Sequence, residues 1–150
     1  RPMETPKKSN LRERALRLLA RREHTRAELA QKLSRYVEED DDLKGLIEDL
    51  AQNGLVCDQR FAEYFINAKQ KRFGHLKIAH ELKSKGVDAE SITRLTVSSR
   101  EQELESARAV WQRKFPSPPT SSAEKAKQMR FLQGRGFSSD TIYKLFKSTD

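Results

Sequence analysis

The side chains in this sequence best placed to act on another molecule are its cations. They cluster as Arg21, Arg22 and Arg26, then Lys69, Lys71 and Arg72, then Lys77, Lys83 and Lys85, then Arg113 and Lys114, then Lys125 and Lys127, and finally Arg130 and Arg135. Thirty Lys and Arg stand against 22 Asp and Glu in 150 residues, a formal net charge of +8. Such groups attract polyanions, either a phosphate backbone or an acidic protein surface. Some lie in last helical turns, where a cation also complements the helix dipole. That local role does not account for three successive sets at the end of a first helix: Arg21 with Arg22, Lys69 with Lys71 and Arg72, and Arg113 with Lys114. Stacked in an array, these sets would form a basic stripe. Charge is uneven: residues 37–60 hold the acidic block Glu38-Glu39-Asp40-Asp41-Asp42, which should point away from any anion that the stripe meets.

Other chemistries are poorly supported. His75 and His80 are five apart, the wrong spacing for two metal ligands on one helix face, and His80-Glu81 lacks the second His of a zinc-protease motif. Gly134-Arg135-Gly136 resembles a piece of a dinucleotide fingerprint, yet no strand precedes it, and a helix C-terminus explains it better. The acidic block lacks the spacing and turn glycine of a calcium loop. There is no phosphate loop and no nucleophile elbow. Cys57, the single cysteine, sits in the apolar trio Leu55-Val56-Cys57 and is expected to be a small buried thiol. Nothing requires an oxidising compartment, so cytoplasm is the expectation. No run approaches a membrane span, and no signal-type apolar segment lies near Arg1. No enzyme, metal or cofactor is expected.

The elements that carry the cations are helices. Charged residues make up 35% of the chain against a usual figure of about 25%, so any cores are thin, and a row of small units suits the composition better than one large sphere. Asn10 can cap a first helix to about Arg22, with Leu11, Ala15, Leu16, Leu18 and Leu19 on its apolar face. Thr25 and Glu28 form a capping box for a short helix bearing Leu29 and Leu33. Asp42 caps a third, with Leu43, Leu46, Ile47 and Leu50, which Asn53-Gly54 stops. The pattern recurs. Asp58 caps a helix reaching toward Gly74; Leu76 to Lys85 follows, stopped by Gly86; Asp88 caps the next. Then Ser99 caps a helix with Leu104, Ala107, Val110 and Trp111, broken at Pro116-Ser117-Pro118-Pro119. Ser121 with Glu124 opens another, stopped by Gly136, and Ser138 or Ser139 caps the last.

Shifted by 50 residues, Leu82 aligns with Leu132, Gly86 with Gly136, Val87 with Phe137, Ile92 with Ile142 and Leu95 with Leu145. The fold class is therefore all-α: three tandem three-helix, helix-turn-helix-like repeats in an elongated, curved molecule. The expected divisions are a disordered tail at 1–9, repeat 1 at 10–56 with the acidic insertion 38–42, repeat 2 at 57–97, and repeat 3 at 98–150 with a Pro/Ser loop at 116–122. The last helix of each unit is read as not basic, Leu43 to Asn53 carrying one Lys against two acids and Asp88 to Leu95 one Arg against two, which argues against sequence-specific readout in a major groove. Phe73, beside Arg72, is expected to cap the second helix rather than stack on a base.

Asp58-Gln59-Arg60-Phe61-Ala62, the turn Arg72-Phe73-Gly74, Glu81-Leu82-Lys83-Ser84-Lys85-Gly86-Val87, and Arg130-Phe131-Leu132 with Arg135-Gly136-Phe137 resemble the RecX family of bacterial regulatory proteins. The resemblance runs from about Leu11 to Phe146, and its middle unit is the most specific part. It implies a non-enzymatic negative modulator of the RecA recombinase. RecX proteins lie in the deep groove of the RecA filament on single-stranded DNA, span neighbouring protomers, and block extension or promote disassembly. The resemblance thus implies lower RecA ATP hydrolysis, strand exchange and stimulation of LexA self-cleavage, and a place in DNA repair and the SOS response. The implied partners are the RecA nucleoprotein filament and single-stranded DNA, with non-specific duplex binding, for a monomer that meets no membrane. The family has no catalytic motif to carry over. From charge and repeat position, the contact residues are taken as Arg21, Arg22, Arg26, Lys69, Lys71, Arg72, Lys77, Lys83, Lys85, Arg113, Lys114, Arg130 and Arg135. The competing reading is a non-specific binder of single- or double-stranded DNA that acts by competition for DNA.

Overall fold

The computed structural model describes residues 10–148, so the tail expected at 1–9 lies outside the described residues. Among the described residues there are ten helices and no strand: α1 (Leu11–Arg21), α2 (Arg26–Ser34), α3 (Leu43–Gln52), α4 (Asp58–Lys69), α5 (His75–Ser84), α6 (Ala89–Leu95), α7 (Val97–Glu101), α8 (Glu103–Lys114), α9 (Ser122–Gly134) and α10 (Ser139–Lys147). Short polar side chains satisfy the orphan amides at their starts. Asn10 accepts from the Glu13 amide, Asp42 from Gly45, Asp88 from Ser91, and Ser138 from Thr141. Thr25 and Glu28 make the full reciprocal box at α2. The stops at Gly54, Gly86 and Gly136 share a positive φ, as a helix end that turns through the left-handed region requires.

Several local expectations fail for physical reasons. Leu16 is 38% exposed, because it is rotated off the stripe that Leu11 and Ala15 present to the interior. The Asp58 carboxylate does not cap its own helix. It accepts from the Arg26 backbone N–H at 2.8 Å, while Cys57, half-buried rather than buried, offers Sγ to the Arg60 amide at 3.5 Å. Helix α4 ends at Lys69, short of Gly74. Ser99 caps nothing: it lies buried inside the short α7, since the chain passes from α6 to α8 through single residues, Thr96 and Gln102, that serve as both end and start. At α9 the box is half-formed. Ser121 accepts from Glu124, but Glu124 turns to the amide and hydroxyl of Thr120 at 2.8 and 3.0 Å.

The chain divides into two compact units, one through Phe61 and one from Ala62. In the first, Leu11, Ala15, Leu29, Leu33, Ile47, Leu50 and Val56 form the core. In the second, Ala107, Val110, Trp111, Leu132, Phe137, Ile142, Leu145 and Phe146 join α8, α9 and α10. The Trp111 indole N–H donates to Gln128 at 2.7 Å, which satisfies a buried polar pair inside that core. Helices α4, α5 and α6 bury Ala62, Ile66, Ile78, Leu82, Val87 and Ile92. The pairs Leu82/Leu132 and Val87/Phe137, aligned in sequence, are all buried.

Gly136 is constrained twice. Its φ is +86°, and a Cβ there would collide with Lys77 Cβ and lie 2.6 Å from the Lys77 backbone nitrogen. Gly134 has open space around it. Replacing Gly136 by Ala is expected to destabilise the protein by about 2 kcal/mol or more. Gly134→Ala should be neutral or stabilising by up to about 1 kcal/mol. Urea denaturation of the two variants checks the contrast.

Candidate functional site

Two phenylalanine rings in the second unit collect cations from separate helices. Phe73, half-buried in the turn before α5, has Lys77 Nζ 4.8 Å from its centroid, the Arg135 guanidinium at 5.3 Å, Lys69 Nζ at 5.6 Å and Arg72 at 5.9 Å. Arg135 also lies 5.2 Å from Phe131, whose ring meets Lys114 Nζ at 5.7 Å and the edge of Phe115 at 5.4 Å. Each exposed cation–ring contact is worth only about 0.5–1 kcal/mol, so these contacts do not hold the fold. Together they place five charged heads around two rings. None of the five makes an ion pair with a carboxylate among the described residues.

The turns that carry these rings are joined through backbone. The Gly74 N–H donates to the Arg135 carbonyl at 2.9 Å, and the Leu76 N–H to the Gly136 carbonyl at 3.1 Å. A Cβ on Gly74 would overlap the Gly136 backbone, so this position cannot carry a side chain, and α5 starts without a side-chain cap. Glu103, the first residue of α8, supplies what is missing. Its Oε1 accepts from the His75 backbone N–H and from His75 Nδ1, both at 2.7 Å. Its Oε2 accepts from the Thr141 hydroxyl at 2.5 Å and the Ser138 hydroxyl at 3.1 Å. One carboxylate, 2% exposed, thus serves the N-termini of α5 and α10 together, where the dipoles favour negative charge. Burial pushes its pKa up, but the hydrogen bonds from Thr141 and His75, with the charge of His75 when protonated, outweigh this and hold it below the ordinary value.

The other expected contact residues are dispersed. Arg22 is paired with Glu28 at 2.9 Å and Arg26 with Glu48, so their charge is answered within the fold. Lys71, Lys83, Arg113 and Arg130 are exposed and touch neither ring. Lys85 is half-buried. Arg21 borders a cleft between α1 and α2. The acidic block has local duties: Asp41 accepts from the Glu38 amide and Asp42 caps α3. Among the described residues, no group of three His, Cys, Asp or Glu is placed to hold a metal ion. Glu103 and Phe131 carry no signature as site residues. Asp58 is the counterpart of Glu103, since each is the first residue of a helix and each accepts from the first backbone N–H of a helix earlier in the chain.

Family models for the first, second and third three-helix domains of RecX match residues 12–41, 58–94 and 101–146. The chain is 43% identical over 133 residues to "Regulatory protein RecX" of Herminiimonas arsenicoxydans, covering 89% of this chain and 88% of the relative. It is 39% identical over 141 residues to the protein of that name in Leptothrix cholodnii, covering 94% and 90%. The crystal structure of RecX from Lactobacillus salivarius superposes with a TM-score of 0.80 at 20% identity, over 92% of this chain and 93% of that one, which establishes the fold.

Glu103→Ala leaves the four donors at His75, Thr141 and Ser138 without their acceptor and should cost about 3 kcal/mol. Because the folded-state pKa of Glu103 is lowered, its contribution is present above the unfolded value of 4.5 and is lost as pH falls through the folded one. Stability profiles of wild type and Glu103→Gln should therefore diverge above the unfolded value and converge as the pH falls through the lowered folded one. Parallel profiles would contradict this assignment.

Proposed function

Because the chain belongs to the RecX family, we propose that it is a negative modulator of the RecA recombinase that binds in the groove of RecA filaments on single-stranded DNA. By blocking extension or promoting disassembly there, it lowers RecA ATP hydrolysis, strand exchange and LexA self-cleavage, and so tempers the SOS response and recombinational repair in the cytoplasm. It works as a monomer and by binding alone, with no catalytic step and no cofactor. The three repeats, taken as 10–56, 57–97 and 98–150, divide the contacts.

The observation that carries this reading is the set of five unneutralised cations around Phe73 and Phe131. A face of this kind suits an acidic protein surface. The rings gather the ammonium and guanidinium groups on one face, and opposed charge speeds association and sets register. Half-buried aromatic rings beside arginine are also the residue types that dominate protein interfaces.

The test is inhibition of RecA ATP hydrolysis on single-stranded DNA by the variant Arg72→Ala/Lys77→Ala/Arg135→Ala. Half-inhibition should require about tenfold more protein than wild type, with the helical circular dichroism unchanged because the three side chains lie outside the core. Inhibition equal to wild type would remove this face from the contact.

A further inference from the structure

One lysine of the first unit is paired with a base and not with an acid. Lys32, on α2, places its Nζ 2.9 Å from Nε2 of His24. His24 lies in the turn between α1 and α2 and is buried. Its Nδ1 is 3.0 Å from the Arg22 carbonyl. A carbonyl only accepts, so Nδ1 carries the proton and Nε2 offers its lone pair to Lys32. Burial is the largest influence on the ring and pushes its pKa down. The charges of Arg22 and Lys32 act the same way, against the Arg22 carbonyl and Glu28. The imidazole is therefore a neutral proton acceptor near pH 7.

Lys32 itself is exposed. It lines a cleft of about 700 Å³ together with Arg14, Arg17, Arg21 and Arg35. Arg14, Arg17 and Arg21 share one face of α1, and no carboxylate lines the cleft. These four arginines make no ion pair among the described residues, whereas Arg12, Arg22 and Arg26, outside the cleft, pair with Asp49, Glu28 and Glu48. An amine beside a neutral base, facing free guanidinium groups, is a combination suited to one kind of reagent. Guanidinium forks hold phosphoryl oxygens in pairs and stabilise charge that grows on a departing phosphate.

We propose that Lys32 is a modification site, acylated by a small acyl phosphate whose phosphoryl group the cleft arginines hold while His24 accepts the proton. The unprotonated fraction of the amine attacks the acyl carbon. The C–N bond forms, the C–O bond to phosphate breaks, and phosphate leaves with that electron pair. The surplus proton on Nζ passes to His24 Nε2 and on to water. In sum, ammonium and acyl phosphate give an amide, hydrogen phosphate and one proton, with no oxidant or reductant. The amide is uncharged, so acylation leaves the cleft only its four arginines as cations. The proposal does not rest on the filament reading, and its test contains no recombinase.

The whole chain is incubated with acetyl phosphate near neutral pH, and acetylation of each lysine is followed in time by peptide mass spectrometry. Lys32 should react about tenfold or more faster than Lys44, Lys71 and Lys83, which are exposed as well. Inorganic phosphate should slow Lys32 saturably and leave those three unchanged. His24→Gln keeps an acceptor for Lys32 without its basicity and should lower the Lys32 rate by about tenfold. Arg14→Gln/Arg17→Gln/Arg35→Gln should slow Lys32 toward acetyl phosphate but not toward a neutral reagent, the N-hydroxysuccinimide ester of acetic acid. Wild-type Lys32 reacting no faster than the other three lysines would overturn the site, whatever the variants do. An arginine variant that is unchanged, or slowed equally toward both reagents, would overturn phosphoryl recognition.

Discussion

The second unit depends on one buried carboxylate placed at two helix N-termini. Glu103 receives the first backbone N–H of α5 and two hydroxyls at the start of α10, and it can do so because α5 begins at a glycine with no cap of its own. The causes form a chain. The backbone of Gly74 must approach Gly136 too closely for a Cβ; the glycine leaves the amides of α5 exposed; and a charged acceptor from α8 answers them in a setting where an unsatisfied group costs kilocalories. Asp58 repeats the arrangement on α2 with the same atom type at the same helical position. In both places the carboxylate of a residue that opens one helix accepts the first backbone N–H of an earlier helix.

That coupling sets the surface. With the turn at Phe73 fixed to the turn at Arg135, cations far apart in sequence gather at two rings. The distribution of ion pairs then separates structural charge from available charge. Arg22 and Arg26 are matched to carboxylates, whereas Lys69, Arg72, Lys77, Lys114 and Arg135 make no ion pair among the described residues. An unmatched cation in an ordered place is a cost to a compact fold through self-repulsion, so its gain is sought in a partner.

Much of the architecture was legible because it is written locally. Caps at Asn10, Thr25, Asp42, Asp88 and Ser138 and stops at Gly54, Gly86 and Gly136 follow from short-range hydrogen bonding and backbone sterics, and the alignment of Leu82 to Leu95 with Leu132 to Leu145 exposed the repeat. What escaped is long-range. Asp58 looked like the cap of its own helix and serves another; Ser99 looked like a cap and lies inside a helix; Glu103 was not singled out at all. The cations were legible as a class but not as a site, because Arg135 meets Phe73 only through the fold.

The central claim is that the cationic face acts on a RecA filament and does not merely compete for DNA. The direct measurement is RecA ATP hydrolysis on single-stranded DNA with this protein at about one molecule per several tens of RecA, in salt high enough to suppress its binding to free DNA. A marked fall at that ratio is the result the account requires, since occupancy so sparse can matter only at a filament. Inhibition that begins only when the protein approaches the DNA in amount would contradict it.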